Sequence, residues 1–323
     1  MKTKMKKGLF AALACSLFFS GGCIGENLEN CPEPRNVFFD FIYPDETDQD
    51  IFGQRVQKVE LLIFDEAGNY ICHESIPQEQ LVQFAGTQMY LPPGTYRIVG
   101  WGNVLENARL DEPHPEWNVD NISVSHNHDG SDIVSGYDPL HYAPRRCREN
   151  PSWGASGPNP DRLLLLEVPQ QGSIHETIRF TCAHTVIDLV VKDWDDRDGV
   201  APNEPPHLEL TGVPAEYSFL LDTEGTIRYR KTASYKRSDE ENEAHVQFYS
   251  ALLDENDDVG IQLLHPVTDE VLMEIDLTEF LQKNNIDLYG MFEPQVTVII
   301  DFPTGTVTVK VNDWSGTEIF PIR

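Results

Sequence analysis

Positive charge is scarce in this chain: 24 Lys and Arg stand against 53 Asp and Glu in 323 residues, a formal charge of −29. Such a surface repels phosphate backbones and anionic headgroups, which excludes nucleic acid as a partner. Catalytic signatures are missing as well. The chain has no GxSxG, no HExxH and no cysteine and histidine in a recognisable protease signature, so no standard hydrolase centre is encoded. Paired carboxylates occur throughout so acidic a chain, and their presence says nothing about glycoside hydrolysis. The six cysteines are widely and irregularly spaced, unlike a dense disulfide framework or a CxxC metal site. Helical periodicity is nearly absent. After Phe19 no apolar run reaches the ~20 residues needed to cross a bilayer core of ~30 Å. These absences together point away from an enzyme and away from any cofactor.

What the sequence does contain starts at its N-terminus. Lys2, Lys4, Lys6 and Lys7 precede an apolar run from Gly8 to Phe19, and the small residues Ser20, Gly21 and Gly22 lead to Cys23. This is the order of an export signal, and its apolar run is too short to span a membrane. The segment resembles a bacterial lipoprotein signal, in which cleavage falls between Gly22 and Cys23 and the Cys23 thiol takes a diacylglycerol. Ser20 stands where such signals usually carry an aliphatic residue. The alternative is an ordinary secretory signal, with Cys23 a thiol or a disulfide partner. Cleavage before Cys15 is disfavoured because it would halve the apolar run. Each buried methylene contributes ~0.8 kcal/mol, so two or more acyl chains make a stable tether where one would be marginal. Loss of residues 1–22 leaves 20 basic residues against 53 acidic ones, a balance of −33.

Residues 23–34 (CIGENLENCPEP) are polar, carry two prolines and show no periodicity, which reads as a tether. Strand signals follow. NVFFDFIYP (36–44) and RVQKVELLIFD (55–65) are rich in β-branched and aromatic residues, and DEAGNYI supplies a hairpin turn through Asp65 and Gly68. Residues 77–84 (PQEQLVQF) fit one short helix. In QMYLPPGTYRIVGWGN (88–103), Pro92, Pro93 and Gly94 form a tight turn, because proline presets φ and glycine accepts positive φ. Residues 104–160 are poor in apolar residues and read as long loops with short strands such as NISVS (121–125). RLLLLEV (162–168) closes this half.

A second strand series runs from HETIRFTCAHTVIDLVVKDW (175–194) to a terminal hairpin turning at Pro303–Gly305 and a last strand ending IFPI, with a short helix near 278–285. VVKDW and VKVNDW share an ending, and LLIFDEAGN and FLLDTEGT share a turn pattern, as two copies of one β-architecture would. Strands every eight to twelve residues with Gly and Pro turns predict an all-β fold of two tandem β-sandwich domains, 35–168 and 173–323.

Candidate chemistry is sparse. SHNHDGSD places His126 and His128 two residues apart with Asp129 and Asp132 nearby, a spacing that puts two imidazoles on one strand face, yet no third His or Cys follows at ligand spacing. WDDRDG (194–199) fails as a calcium loop, since Trp194 and Pro205 fall where the first and last acidic ligands belong. Cys182 and His184 share a strand face and read as structural. One disulfide among Cys31, Cys72, Cys147 and Cys182 is compatible with export. Trp101, Trp117, Trp153, Tyr137 and Tyr142 would be the groove aromatics if the protein bound glycan.

The signal, the Cys-Pro tether, the strand and turn formed by Val56, Val59, Leu61, Phe64, Asp65 and Gly68, and then LPPGTYRIVGWGN and the closing VNDW, resemble the FimB-type anchor subunits of Bacteroidetes type V fimbriae. The resemblance is strongest over 35–103. It implies two transthyretin-like sandwiches held by lipid on Cys23 to the cell outer membrane, where they hold the base of a fimbria, dock a fimbrial stalk subunit by strand pairing and limit fimbrial length; Glu26 and Glu29, soon after Cys23, point to surface exposure. It implies no metal, no cofactor and no catalytic residue. The docking surface is expected in the terminal strands, 296–322. The alternative is a surface glycan-binding lipoprotein of the same architecture.

Overall fold

Alternation of apolar and polar residues turns most of this chain into strands. A computed structural model describes residues 35–110, 114, 116–127, 131–143, 163–194, 204–237, 242–253, 256–288, 290–313 and 316–322. In chain order the strands are β1 (Val37–Ile42), β2 (Val59–Asp65), β3 (Tyr70–Ile76), β4 (Gly86–Met89), β5 (Gly94–Gly102), β6 (Ala108–Leu110), β7 (Ser123–His126), β8 (Ile133–Val134), β9 (His141–Ala143), β10 (Leu164–Val168), β11 (Ile174–Arg179) and β12 (Thr181–Cys182). They continue as β13 (Thr185–Lys192), β14 (His207–Ser218), β15 (Thr223–Thr232), β16 (Ser234–Arg237), β17 (Asn242–Ser250), β18 (Gly260–Leu264), β19 (Val271–Asp276), β20 (Gln295–Asp301), β21 (Thr306–Asp313) and β22 (Gly316–Ile322). The described helices are short: α1 (Phe52–Arg55), α2 (Gln78–Gln83) and α3 (Leu277–Lys283). Asp276 caps α3 by accepting a hydrogen bond from the Glu279 backbone N–H at 2.7 Å, a standard way to satisfy a free helical N–H. Among the described residues no helix is long and apolar enough to cross a membrane. The all-β expectation holds.

The first sandwich pairs a three-stranded sheet, β11-β1-β4, with a larger one ordered β12-β9-β5-β2-β3, to which β10 adds along β5. Strand β1 is its keystone. Val37, Phe39 and Phe41 point inward and are at most 1% exposed, while Phe38, Asp40 and Ile42 on the other face are half-buried. Its inward side chains meet Leu61 and Ile63 of β2, Ile98 of β5 and Phe180 in one apolar cluster. Gly86 on β4 is required for this packing, since a Cβ there would lie 2.1 Å from the Phe39 carbonyl oxygen. Strand β2 is buried on both faces: Leu62 and Phe64 join Val99 and Trp101 of β5 in the second, larger apolar cluster. A sheet covered on both sides needs a continuous apolar run, which is why VELLIFD lacks clean alternation.

The second sandwich packs the sheet β16-β17-β13-β20-β21-β22 against β19-β18-β14-β15-β8, with the β6–β7 hairpin attached to β14. Its core includes Leu189 and Val191 of β13, Leu208 and Leu210 of β14, and Val296, Val298 and Ile300 of β20. The two halves exchange strands. The 104–160 region supplies β7 and β8 to the second sandwich, fixed by Tyr137, whose hydroxyl donates to Val124 O at 3.1 Å and Ala215 O at 2.7 Å. In the other direction, β11 follows the 169–173 stretch yet pairs in parallel with β1 of the first sandwich. With these exchanges Arg35–Arg323 pack as one compact unit.

The keystone role of β1 predicts a strong asymmetry between its faces. Phe41, ringed by Phe52 and Phe180 at 5.8 and 5.7 Å, should cost about 3–5 kcal/mol when replaced by alanine. Phe38→Ala, which removes only a half-exposed stack on His175, should cost about 1 kcal/mol. Urea unfolding of the two variants measures both.

Candidate functional site

Two features organise the described residues: where the chain enters the fold, and how the sandwiches join. Entry is at Asn36. Its side chain locks onto the turn after β4, with Nδ2 donating to Leu91 O at 2.8 Å and Oδ1 accepting from Leu91 N at 3.0 Å. The Pro92–Gly94 turn completes this pole, tied by the Tyr96 hydroxyl donating to Pro92 O at 2.8 Å. From here β1 runs ~20 Å at ~3.3 Å per residue to the opposite pole, where the second sandwich begins.

At that seam Tyr43, just past β1, donates to Glu293 Oε1 at 3.0 Å and stacks on Phe292 at 5.2 Å. Arg55, at the end of α1, grips the same carboxylate with Nε at 2.9 Å and Nη2 at 3.1 Å. A two-pronged pair of this kind fixes orientation as well as charge. The Glu293 hydrogen bond raises the Arg55 guanidinium above its ordinary value, and burial raises the Tyr43 phenol far above its own. Behind them His141 meets Tyr43 edge-on at 4.9 Å and His184 at 5.5 Å. His184 donates from Nδ1 to Leu140 O at 2.8 Å, with Cys182 Sγ 3.3 Å from the same nitrogen. His141 donates from Nδ1 to Pro139 O at 3.0 Å, while its buried Nε2 finds no partner among the described residues. Burial holds both imidazoles below their ordinary value, and the neighbouring His184 adds to this at His141.

Asn103, which ends the LPPGTYRIVGWGN run, explains why asparagine stands there. Its φ is +62°, a left-handed conformation that Asn tolerates better than most residues. The side chain then accepts from Gln57 N at 2.7 Å and donates to Arg55 O at 2.9 Å and Pro139 O at 3.0 Å, positioning the seam.

The other sequence candidates scatter. Gly22 and Cys23 lie outside the described residues, as do Cys31, Cys147, His128, Asp129 and Trp153. His126 is buried against Tyr137 and Tyr229, and Asp132 is exposed. Among the described residues no group of three or more His, Cys, Asp or Glu is arranged to hold a metal. Trp101, Tyr137 and Tyr142 are at most 2% exposed and build the interior. Trp117 packs edge-on against Tyr70 at 5.5 Å. Cys72 and Cys182 stand as thiols rather than as a bridge. The seam residues Tyr43, Arg55, Glu293 and His141 carry no sequence signal, because their proximity depends on two sandwiches meeting.

Burial of neutral His141 and His184 sets a pH dependence. Their folded pKa values are lowered, so an unfolded chain binds more protons just below pH ~6.5 and the folded form loses stability there. The contribution is complete above about pH 7, begins to be lost as pH falls through the unfolded value of ~6.5, and goes on being lost down through the lowered folded values. The double variant His141→Gln, His184→Gln should flatten that part of the profile of urea midpoint against pH, while its remaining slope, set by the carboxylates, stays.

No curated protein sequence matches the chain. Among solved structures it is similar to the fimbrial anchor protein Mfa2 from Porphyromonas gingivalis, at 17% identity over 87% of this chain and 98% of that one, TM-score 0.58. It is also similar to a candidate polysaccharide-binding protein from Bacteroides thetaiotaomicron (13% identity, 90% and 99% covered, TM-score 0.64) and to a candidate adhesin from the same organism (16%, 91% and 100%, TM-score 0.62). At these identities the likeness establishes a shared fold. Residues 28–319 match the sequence model of the fimbrillin-A associated anchor proteins Mfa1 and Mfa2, and with nearly its whole length covered the chain belongs to that fimbria-associated anchor family.

Proposed function

We propose that the mature protein is fastened to the outer membrane by acyl chains on Cys23 and holds the base of a fimbria, whose subunit docks by strand pairing and whose length it limits. The observation that carries this reading is the match to the anchor family over 28–319. The layout of the fold suits the role. The tether joins at the Asn36 pole, and the seam at Tyr43 and Glu293 lies at the far end of β1. Beyond the seam, β22 forms the last strand of its six-stranded sheet, paired on one side with β21. A strand edge with open N–H and C=O groups is a template for a strand from another chain, with affinity supplied by main-chain hydrogen bonds. The negative charge adds solubility and resists collapse onto anionic surfaces, so a covalent lipid, and not surface adhesion, would do the holding.

Fractionation of cells carrying three forms of the protein tests both halves. The unaltered chain should incorporate radiolabelled palmitate and retain fimbriae on the cell. Cys23→Ala should abolish the label and release protein and fimbriae together. A chain lacking 316–323 should stay in the membrane fraction while fimbriae are shed into the medium. Palmitate on the Cys23→Ala chain would contradict lipidation at that thiol, and fimbriae retained by the membrane-bound truncation would contradict docking at β22.

A further inference from the structure

We propose that β1 is a force-bearing clamp: the pairing of β1 with β11 places their ladder in shear whenever the tether and the second sandwich are pulled apart. This rests on the anchor reading for its biological use, though the mechanics follow from the fold alone.

A pair of hydrogen-bonded strands can fail in two ways. If the load separates the strands from one end, the bonds break one after another, each bearing the force alone. If the load draws the strands in opposite senses from opposite ends, every bond in the ladder is strained at once and all must yield together. Which of these occurs depends on the ends at which force enters and leaves.

Here the tether delivers force to the N-terminal end of β1, at Asn36. Strand β11 passes force onward from its C-terminal end, where Phe180 leads through β12 into β13 of the second sandwich. Because β1 and β11 are parallel, in register from Val37 opposite Ile174 to Ile42 opposite Arg179, those are opposite ends of one ladder. An antiparallel arrangement would bring them to the same end and let the strands peel. The ladder is closed at both extremes, by Ile174 N donating to Asn36 O and Phe180 N donating to Ile42 O, each at 2.8 Å.

Three further features make β1 hard to extract. It is the central strand of its sheet, so β4 grips its other edge from Val37 opposite Met89 to Asp40 opposite Gly86. Its inward residues Val37, Phe39 and Phe41 are almost wholly buried, and sliding the strand would drag them past their neighbours. Tyr43 pins its C-terminal end to Glu293 across the seam. The second sandwich has other links to the first, through β7, β8 and the seam. Whatever path the load takes between the sandwiches, it reaches the tether only through β1.

Force spectroscopy on the mature chain tests this, because forced rupture reports the unfolding barrier directly. Handles at Ile24 and Arg323 load the β1–β11 ladder in shear. Handles at Ile24 and Gln171, in the exposed turn before β11, load the same ladder from one end. The released length of chain identifies which event frees β1. That event should need several-fold more force in the first geometry than in the second. Ladder alternation supplies a pair of variants: with Ile174 N and Phe180 N facing β1, the N–H of Glu176 faces it too, and that of Thr177 faces away. Glu176→Pro should lower the shear rupture force markedly, and Thr177→Pro, whose lost N–H lies on the open edge, should lower it far less. Equal forces in the two geometries, or equal effects of the two prolines, would overturn the proposal. An unlipidated Cys23 would overturn the anchor reading and leave these forces unchanged.

Discussion

The grip on β1 is the constraint from which the rest of the architecture follows. Its two edges are taken by β4 and β11, and its inner face fills the core of the first sandwich. An edge strand carrying Val37, Phe39 and Phe41 would leave a row of open amides beside exposed apolar groups, the arrangement that invites pairing with other chains. Covering both edges removes that hazard at the point where the chain enters the fold. It also requires a strand from far along the sequence, and β11 fills the place. Its exposed positions, such as His175, Thr177 and Arg179, suit an outer edge that stays soluble.

A second consequence is the union of the two sandwiches. Once β11 is committed to the first sheet, the chain passes to β13 within a few residues, so the sandwiches must abut. The seam is accordingly rich in groups that specify orientation: the bidentate Arg55–Glu293 pair, the Tyr43 hydroxyl, and two neutral histidines enclosed behind them. The ion pair is partly open to water and adds little net stability on its own. Its value lies in geometry, since a planar guanidinium on a carboxylate tolerates one relative placement of the sandwiches. Apolar packing of Trp101, Tyr142, Tyr217 and Phe219 supplies the bulk of the adhesion.

Much of the fold was legible in the sequence, and the reasons are local. β2 and β5 announce themselves through β-branched and aromatic runs, the turn at Asp65–Gly68 through the positive φ of Gly68, and the turn at Pro92–Gly94 through its prolines, while Gly94 itself opens β5 without the positive φ expected of it. The short helices at 78–83 and 277–283 lay inside or beside the stretches expected to hold them. What was hidden depends on distant partners. Nothing within HETIRF reveals a parallel neighbour in VFFDFI, because parallel pairing uses no connecting turn. NISVS reads as a strand but not as a member of the second sandwich. His126 reads as a loop or ligand residue and is enclosed by the rings of Tyr137 and Tyr229 instead. Cys23 is the converse case, a lipid attachment site proposed from sequence signal alone and lying outside the described residues.

The most direct test of the central claim is native-state hydrogen exchange on the mature chain, read strand by strand. If β1 is the gripped keystone, the amides of Val37–Ile42 exchange only with global unfolding, at the same free energy as those of β2 and β5. Exchange of β1 well before those strands, as a segment that detaches while the sandwich stays folded, would contradict the account.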